Sequence, residues 1–516
     1  MWYRERSYWL LPLILLLIGV AVLFAENLLK VTEAPDENIS RDWQLGKTSA
    51  KTEPFIHPES NGYMISYFSD GFLIENRYDH SWAHQSDNRY PIDHQEFSRV
   101  FNDGEEMFYS KANSLHQGGE GELFTRADKF SPTESHLFIL KDEQLIQINR
   151  ETLETKEVLK LDKGFNKVMV KENEGEVYTL IHRAENNEYK LEIYRLSEEG
   201  YMREEAAYTF SVTPGETIRE IAYDVEDDKL GIVLATHLRQ GSSKHHYYFA
   251  LHELKDRELS LNKIQAEDPF GSGQLNEWSD LELSLTDKGA TILFAAHGAT
   301  QTTYNDGPAF NIYEMTINES QSEVTRISNT SERSQKPTRV DEDTVLWMDG
   351  TGDYKEIKVA SSKYDFDDKA AGWSRDDLLK ALGKTLAMSS YAPLTIFVTL
   401  MWYIGPFLYL FIIIIGFHKA IEDEKSWVLY GAFAIYIVSA GIWYDLLFTE
   451  RLMNRLPVFL DFPGSSFALL VMFGLLSFFL MRAEAGKRDW GVVLKFTYFV
   501  TVHILLIAVF IGPYLL

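Results

Sequence analysis

LEIYRL at 191–196, FALHEL at 249–254 and FNIYEM at 310–315 share one pattern: apolar, any residue, apolar, Tyr or His, charged, apolar. Their starts lie 58 and 61 residues apart, and a looser relative, IQINRE, begins 45 residues before the first. Alternation with period two places successive side chains on opposite faces, so each box reads as a half-buried strand. A further strand-like stretch follows each of the three boxes: EEAAYTFSV from 204, ELSLNKI from 258 and SEVTRIS from 322. Upstream, KVMVKENEGEVYTLIHR, EIAYDVEDDKLGIVLATH and LELSLTDKGATILFAAH each show a strand, an acidic or glycine turn and a second strand. RVDEDTVLWMDG with YKEIKVAS closes the series near 360.

Four strands recurring every 45–60 residues is the spacing of propeller blades rather than of helical repeats. The region 55–360 therefore resembles the β-propeller class. The resemblance is architectural, because the chain carries neither a WD dipeptide nor a Gly-His signature. GYMISYFSDGFLIENRY from 62, EEMFYS from 105 and SHLFILKDEQLIQI from 135 supply one to three more blades. The competing arrangement, a stacked pair of β-sandwiches, is disfavoured by the period.

Apolar runs of membrane length flank this region. A span needs about 20 apolar residues. One run occupies 8–25, and four more begin at 392, 426, 465 and 490. The organisation expected is a cytoplasmic N-terminus (1–7), an anchor (8–25), a linker (26–54), the propeller-like domain (55–360), a linker with a short helix (361–390) and four transmembrane helices (391–516). Leu23 sits where a signal-peptide cleavage site prefers a small residue, so the first run reads as an uncleaved anchor. Arg4, Arg6, Lys419, Lys425, Arg482, Lys487 and Arg488 fall on one side of five spans. The positive-inside rule makes that side cytoplasmic and the middle domain external.

Residues 26–388 carry 40 basic and 67 acidic side chains, whereas the region from 389 onward is neutral. Such a surface repels nucleic acid and attracts cations and basic partners. The chain has no cysteine. For an exported domain this size, that points to an exporter that makes no disulfides, the plasma membrane of a Gram-positive bacterium being the best match.

Candidate chemistry lies in three places. Aligning the repeats puts His182, His237 and His297 at the end of the second strand, where they either share a channel or rim able to bind a divalent cation or an anion or recur through repeat ancestry. YDHSWAHQSDNRYPIDHQEF collects His80, His84 and His94 with Asp79, Asp87, Asp93 and Glu96, although Pro91 and the turn formers argue for a loop. Within the apolar block the ionisable residues are Asp445, Lys495 and His503, of which His503 is deepest. GxSxG, HExxH and phosphate-cradling glycine loops are absent. No cofactor is expected beyond a divalent cation. The function expected is ligand or partner binding at the membrane, as a scaffold or sensor in contact with the bilayer and a membrane or envelope protein. An envelope-directed surface enzyme and a transporter subunit are the alternatives.

Overall fold

The computed structural model describes residues 7–515, except 151, 174, 186–187, 239–244, 257, 272, 287–288, 300–308, 319–321, 331, 364–371, 454, 458 and 461. The chain divides into two compact units, one of strands and one of helices.

The strand unit is a seven-bladed β-propeller built from seven four-stranded antiparallel sheets. Blades 1 to 6 occupy residues 55–90, 100–126, 129–160, 165–210, 216–264 and 276–326, each a simple meander in sequence order. The first strands of blades 1 and 2, and of blades 4 through 7 in succession, pack against one another, as strands at the axis of a propeller do. The quoted boxes are the third strands Glu188–Leu196, His245–Glu253 and Ala309–Ile317.

Blade 7 departs from the meander. Three of its strands come from 334–361, and the fourth is Trp43–Thr48, paired antiparallel with Lys355–Ser361. The segment 26–54, read above as a linker, thus contains both the end of a helix (to Val31) and this closing strand. The six residues of WQLGKT were too short and too weakly alternating to announce themselves, and only their partner strand, over 300 residues away, makes them one.

Cores form between neighbouring blades rather than within one. Trp278 of blade 6 lies between Tyr247 of blade 5 and Phe294, with ring centroids 4.1 Å away on both sides. Offset ring packing of this kind adds to the apolar area buried. Closure also has an ionic component. Lys358 in the last strand is buried between Asp42, just ahead of the closing strand (2.6 Å), and Asp349 (3.1 Å). Asp349 is itself buried and accepts from the hydroxyls of Thr330 and Ser334. Burial opposes the lysine's charge, but the two carboxylates outweigh it and hold its pKa above the ordinary value.

The helical unit joins the N-terminal helix Leu10–Val31 to everything from Trp373 onward. Three helices are long and apolar enough to cross a membrane: Leu10–Val31, Ser465–Ala485 and Val492–Phe510. A fourth crossing is available if Asp377–Val398 and Leu400–Gly416, bent by 44° at their junction, count as one span. Ser426–Ile442 is apolar but has only 17 residues. The helix Arg375–Ser389 starts at a reciprocal capping box of Ser374 and Asp377. Gly19 lets the first and last helices touch, since a Cβ there would lie 2.1 Å from a Val509 methyl.

Removing one side of a buried ion pair strands the other charge and costs about 3 kcal/mol or more. Lys358→Ala is therefore expected to lower the midpoint of the β-sheet circular-dichroism transition. Lys358→Met combined with Asp349→Asn, which removes the two buried charges and leaves only the partly exposed Asp42, recovers most of the loss. An unchanged midpoint in the single variant counts against an ionic component of closure.

Candidate functional site

In or just ahead of the first strand of every blade stands a charged residue followed at once by an apolar one or proline: Glu53-Pro, Arg99-Val, Lys129-Phe, Lys167-Val, Glu220-Ile, Asp280-Leu and Lys336-Pro. In blades 4 to 7 the ladder slips at this point, between Phe165 and Lys167, Ile218 and Glu220, Ser279 and Glu282, and Gln335 and Thr338. Such irregularities re-aim a side chain that regular pleating would send into the sheet packing. Asp280 and Lys336 go further and adopt left-handed backbone, φ 55° and 54°, a conformation that costs about 1 kcal/mol or more for residues other than glycine. They sit within ion-pair distance of each other, 2.7 Å.

These seven residues make a ring of charge around the axis, and the ring staples blades together. Arg99 pairs with Glu53 at 2.9 Å, joining blades 2 and 1. Lys129 donates to the carbonyl of Val168 at 2.5 Å, and Lys167 to that of Ile221 at 3.3 Å. The Glu220 carboxylate accepts from the backbone N–H groups of Asp280 and Leu281 at 3.0 and 2.8 Å. The two joints the ring leaves open are closed by other polar contacts, Arg150 with Asp103 between blades 3 and 2 and Tyr63 with Asp341 between blades 1 and 7.

The charge is not evenly mixed. Blades 2 to 4 contribute a cationic arc of Arg99, Lys129 and Lys167, and blades 5 and 6 an acidic arc of Glu220, Asp280 and Glu282. Among the described residues, neither Lys129 nor Lys167 has a carboxylate within ion-pair distance, so each ammonium keeps unused donor capacity. Burial, then repulsion from Arg99 and Lys167, lowers the pKa of Lys129 to about 8. Burial also lowers that of Lys167, against the pull of Glu220. Across the ring burial raises the pKa of Glu220 and Glu282. Beside Arg99, burial likewise opposes the Glu53 carboxylate, but Arg99, its own backbone N–H and Lys336 prevail and its pKa is lowered.

Beside the ring is a cavity of about 450 Å³, lined by Glu53, His57, Arg99, Lys171, Glu172 and Arg339 among others. This lies within the size range of small-ligand sites. Its cations are engaged: Lys171 with Asp224 and the Leu283 carbonyl, Arg339 with Glu314.

The histidines singled out in the sequence lie elsewhere. His182, His237 and His297 sit on second strands, one position out from the axis, and each is held within its own blade. His182 is buried, stacked on Tyr189 at 5.7 Å, with Nε2 unpartnered. His237 is exposed beside the Thr217 hydroxyl, and His297 packs on Phe310. His80 meets the edge of Tyr63, His84 that of Tyr78, and His94 stacks on Phe68 while sharing a hydrogen bond with Ser49. Among the described residues no group of three or more His, Asp or Glu is placed to hold a metal ion. In the helical unit, Asp445 is exposed in the turn Tyr444–Leu446 and Lys495 pairs with Glu424 at 2.7 Å. His503 is buried, hydrogen-bonded to Tyr436 (2.6 Å) and facing the Leu470 carbonyl (3.3 Å), so it ties three helices together.

No protein-family model matches the chain, and no curated protein matches it. Solved structures do. An oligogalacturonate lyase in complex with manganese shares 12% identity over 63% of this chain and 99% of its own, with a TM-score of 0.36. A chain of a mitotic checkpoint complex shares 11% over 63% and 96%, TM-score 0.38. The Trypanosoma rangeli sialidase in complex with sialic acid shares 10% over 64% and 60%, TM-score 0.32. Likeness of this order lies in the fold alone.

Lys129 gives the ring a measurable signature. Its folded pKa, about 8, lies below the unfolded value of about 10.4, so between those pH values the unfolded chain holds more protons. Stability contributed by this group therefore rises with pH across that window. The wild-type midpoint minus that of Lys129→Met is expected to grow from pH 8 to about pH 10.4, and a difference that stays flat sinks the assignment.

Proposed function

We propose that the chain is an integral membrane protein whose propeller recognises a ligand or partner protein on the side opposite the N-terminus, as scaffold or sensor of a membrane complex. The observation that carries this reading is the inverted polarity of the helical unit. Its outward residues are large and apolar, with Ile415 70% exposed and Leu17, Ile437 and Phe479 more than half exposed. Its interior holds the polar contacts: His503 with Tyr436, Asn27 with Thr385, and Glu26 with Lys30 and Tyr514. A surface of that kind is unfavourable in water and suited to hydrocarbon.

Five crossings follow if the bent pair is one span and Ser426–Ile442 another. With Arg4, Arg6, Lys419, Lys487 and Arg488 cytoplasmic, the propeller lies outside. The cationic arc of the channel then provides the anchor for an anionic group of the ligand, a carboxylate or phosphate on the free N–H groups of Lys129 and Lys167. The strongly acidic exterior rejects anionic macromolecules that would compete for it.

The native chain has no cysteine, so single cysteines report topology without background. Glu122→Cys in the propeller should react with a membrane-impermeant maleimide in intact cells, and Lys487→Cys only after permeabilisation. The reverse pattern overturns the orientation. Crosslinking in intact membranes should recover the same bound species from wild type, and Lys129→Met with Lys167→Met should lose it. Equal recovery from the double variant removes the channel from the recognition surface.

A further inference from the structure

A second pocket, of about 500 Å³, lies away from the axis where the closing strand of blade 7 runs beside blade 1. Two tyrosines and a tryptophan, Tyr67, Tyr78 and Trp82, are buried in its floor, and Trp43 stands at its lip, 40% exposed. Asp87 and Arg89, two apart on the strand His84–Tyr90 and hence on one face, supply a charged wall, 3.5 Å from each other.

Three local departures from regular structure converge here. The closing strand bulges between Gln44 and Gly46, and the ladder between the third and fourth strands of blade 1 slips between Arg77 and Tyr78. Trp82 holds left-handed backbone, φ 61°, a genuine outlier for so bulky a residue. Strain of this sort persists only where surroundings enforce it, and it clusters at binding sites. Gly46 completes the picture: a Cβ there would come within 2.1 Å of the Tyr67 hydroxyl oxygen. The strand approaches the phenol closely only because it has no side chain at that point.

The floor is also preset for hydrogen bonding. Asn76 donates to both the Tyr67 and Tyr78 hydroxyls, at 3.1 and 3.2 Å. Tyr78 passes its own proton to the Leu45 carbonyl at 2.8 Å. Tyr67 has no acceptor among the described residues, so its O–H remains available.

We propose that this pocket binds an uncharged saccharide ring. The flat apolar face of the exposed Trp43 suits the C–H face of a pyranose, and an indole at a pocket lip provides that contact with little conformational entropy to lose. Hydroxyls on the ring edge need acceptors and donors side by side, which Asp87, Arg89 and the Tyr67 O–H supply. Because Arg89 balances Asp87, the wall has no net charge. That distinguishes the site from an aromatic cage for a quaternary ammonium, where uncompensated negative charge is wanted. The site is separate from the axial channel, and the inference does not depend on the channel's role.

Calorimetric titration of the full detergent-solubilised chain with an N-acetylglucosamine trisaccharide and with maltotriose tests this, using choline as control. Binding of at least one saccharide is expected, weakened about tenfold by Trp43→Ala and by Asp87→Asn, and largely restored in Trp43→Phe. Trp43 is on an outermost strand, and an unchanged melting profile will show that its variants fold. No heat from either saccharide up to about 10 mM, where a Kd near 1 mM still registers, overturns the proposal. So does affinity indifferent to Trp43→Ala, or choline bound in preference to the sugars.

Discussion

The pairing of Trp43–Thr48 with Lys355–Ser361 turns a row of blades into a ring, and the rest of the propeller depends on it. Each blade buries its faces only against neighbours, so an open row would leave two apolar faces in water. Closure through main-chain hydrogen bonds between segments more than 300 residues apart removes both ends at once. The same strand carries more than closure. Asp42 just ahead of it neutralises the buried Lys358, and Ser40 donates its backbone N–H to the Ser361 carbonyl while its hydroxyl accepts from the Ser361 N–H. Its bulge also shapes the aromatic pocket.

With the ring closed, the axis becomes the place where seven first strands meet. The chain fills it with charge of both signs. Most of these groups satisfy one another or a neighbouring blade's backbone, which keeps the enclosed charge affordable. The surplus is local: Lys129 and Lys167 bond to carbonyls rather than carboxylates. At the axis the residues that join the blades also hold the unused donors, whereas in the lateral pocket the left-handed backbone of the buried Trp82 lies apart from the exposed Trp43.

The helical unit has the opposite polarity. Asn27, Glu26 and His503 point inward and find partners, while leucine, isoleucine and phenylalanine point outward. Polar contacts inside and apolar side chains outside are the reverse of the propeller's own arrangement, in which Trp278 and Trp347 are buried and the surface carries the net negative charge.

Much was legible in the chain alone. Strand alternation and turn chemistry are local, so boxes such as LEIYRL and FNIYEM announced their strands, and their spacing announced blades. Apolar runs announced helices for the same reason. The histidines left two readings open in the sequence, a shared rim or repeat ancestry, and in the structure His182, His237 and His297 each contact a neighbour in their own sheet. The charged–apolar step in or just ahead of every first strand was present in the sequence, from Glu53-Pro to Lys336-Pro, but nothing local marks such a residue as axial. Its direction comes from ladder slips and from closure. The sequence by itself determined the elements and their repeat, because those follow from short-range periodicity. The tertiary structure alone decided seven blades, the closing strand, the axial ring and the aromatic pocket, because each needs residues far apart in the chain to meet.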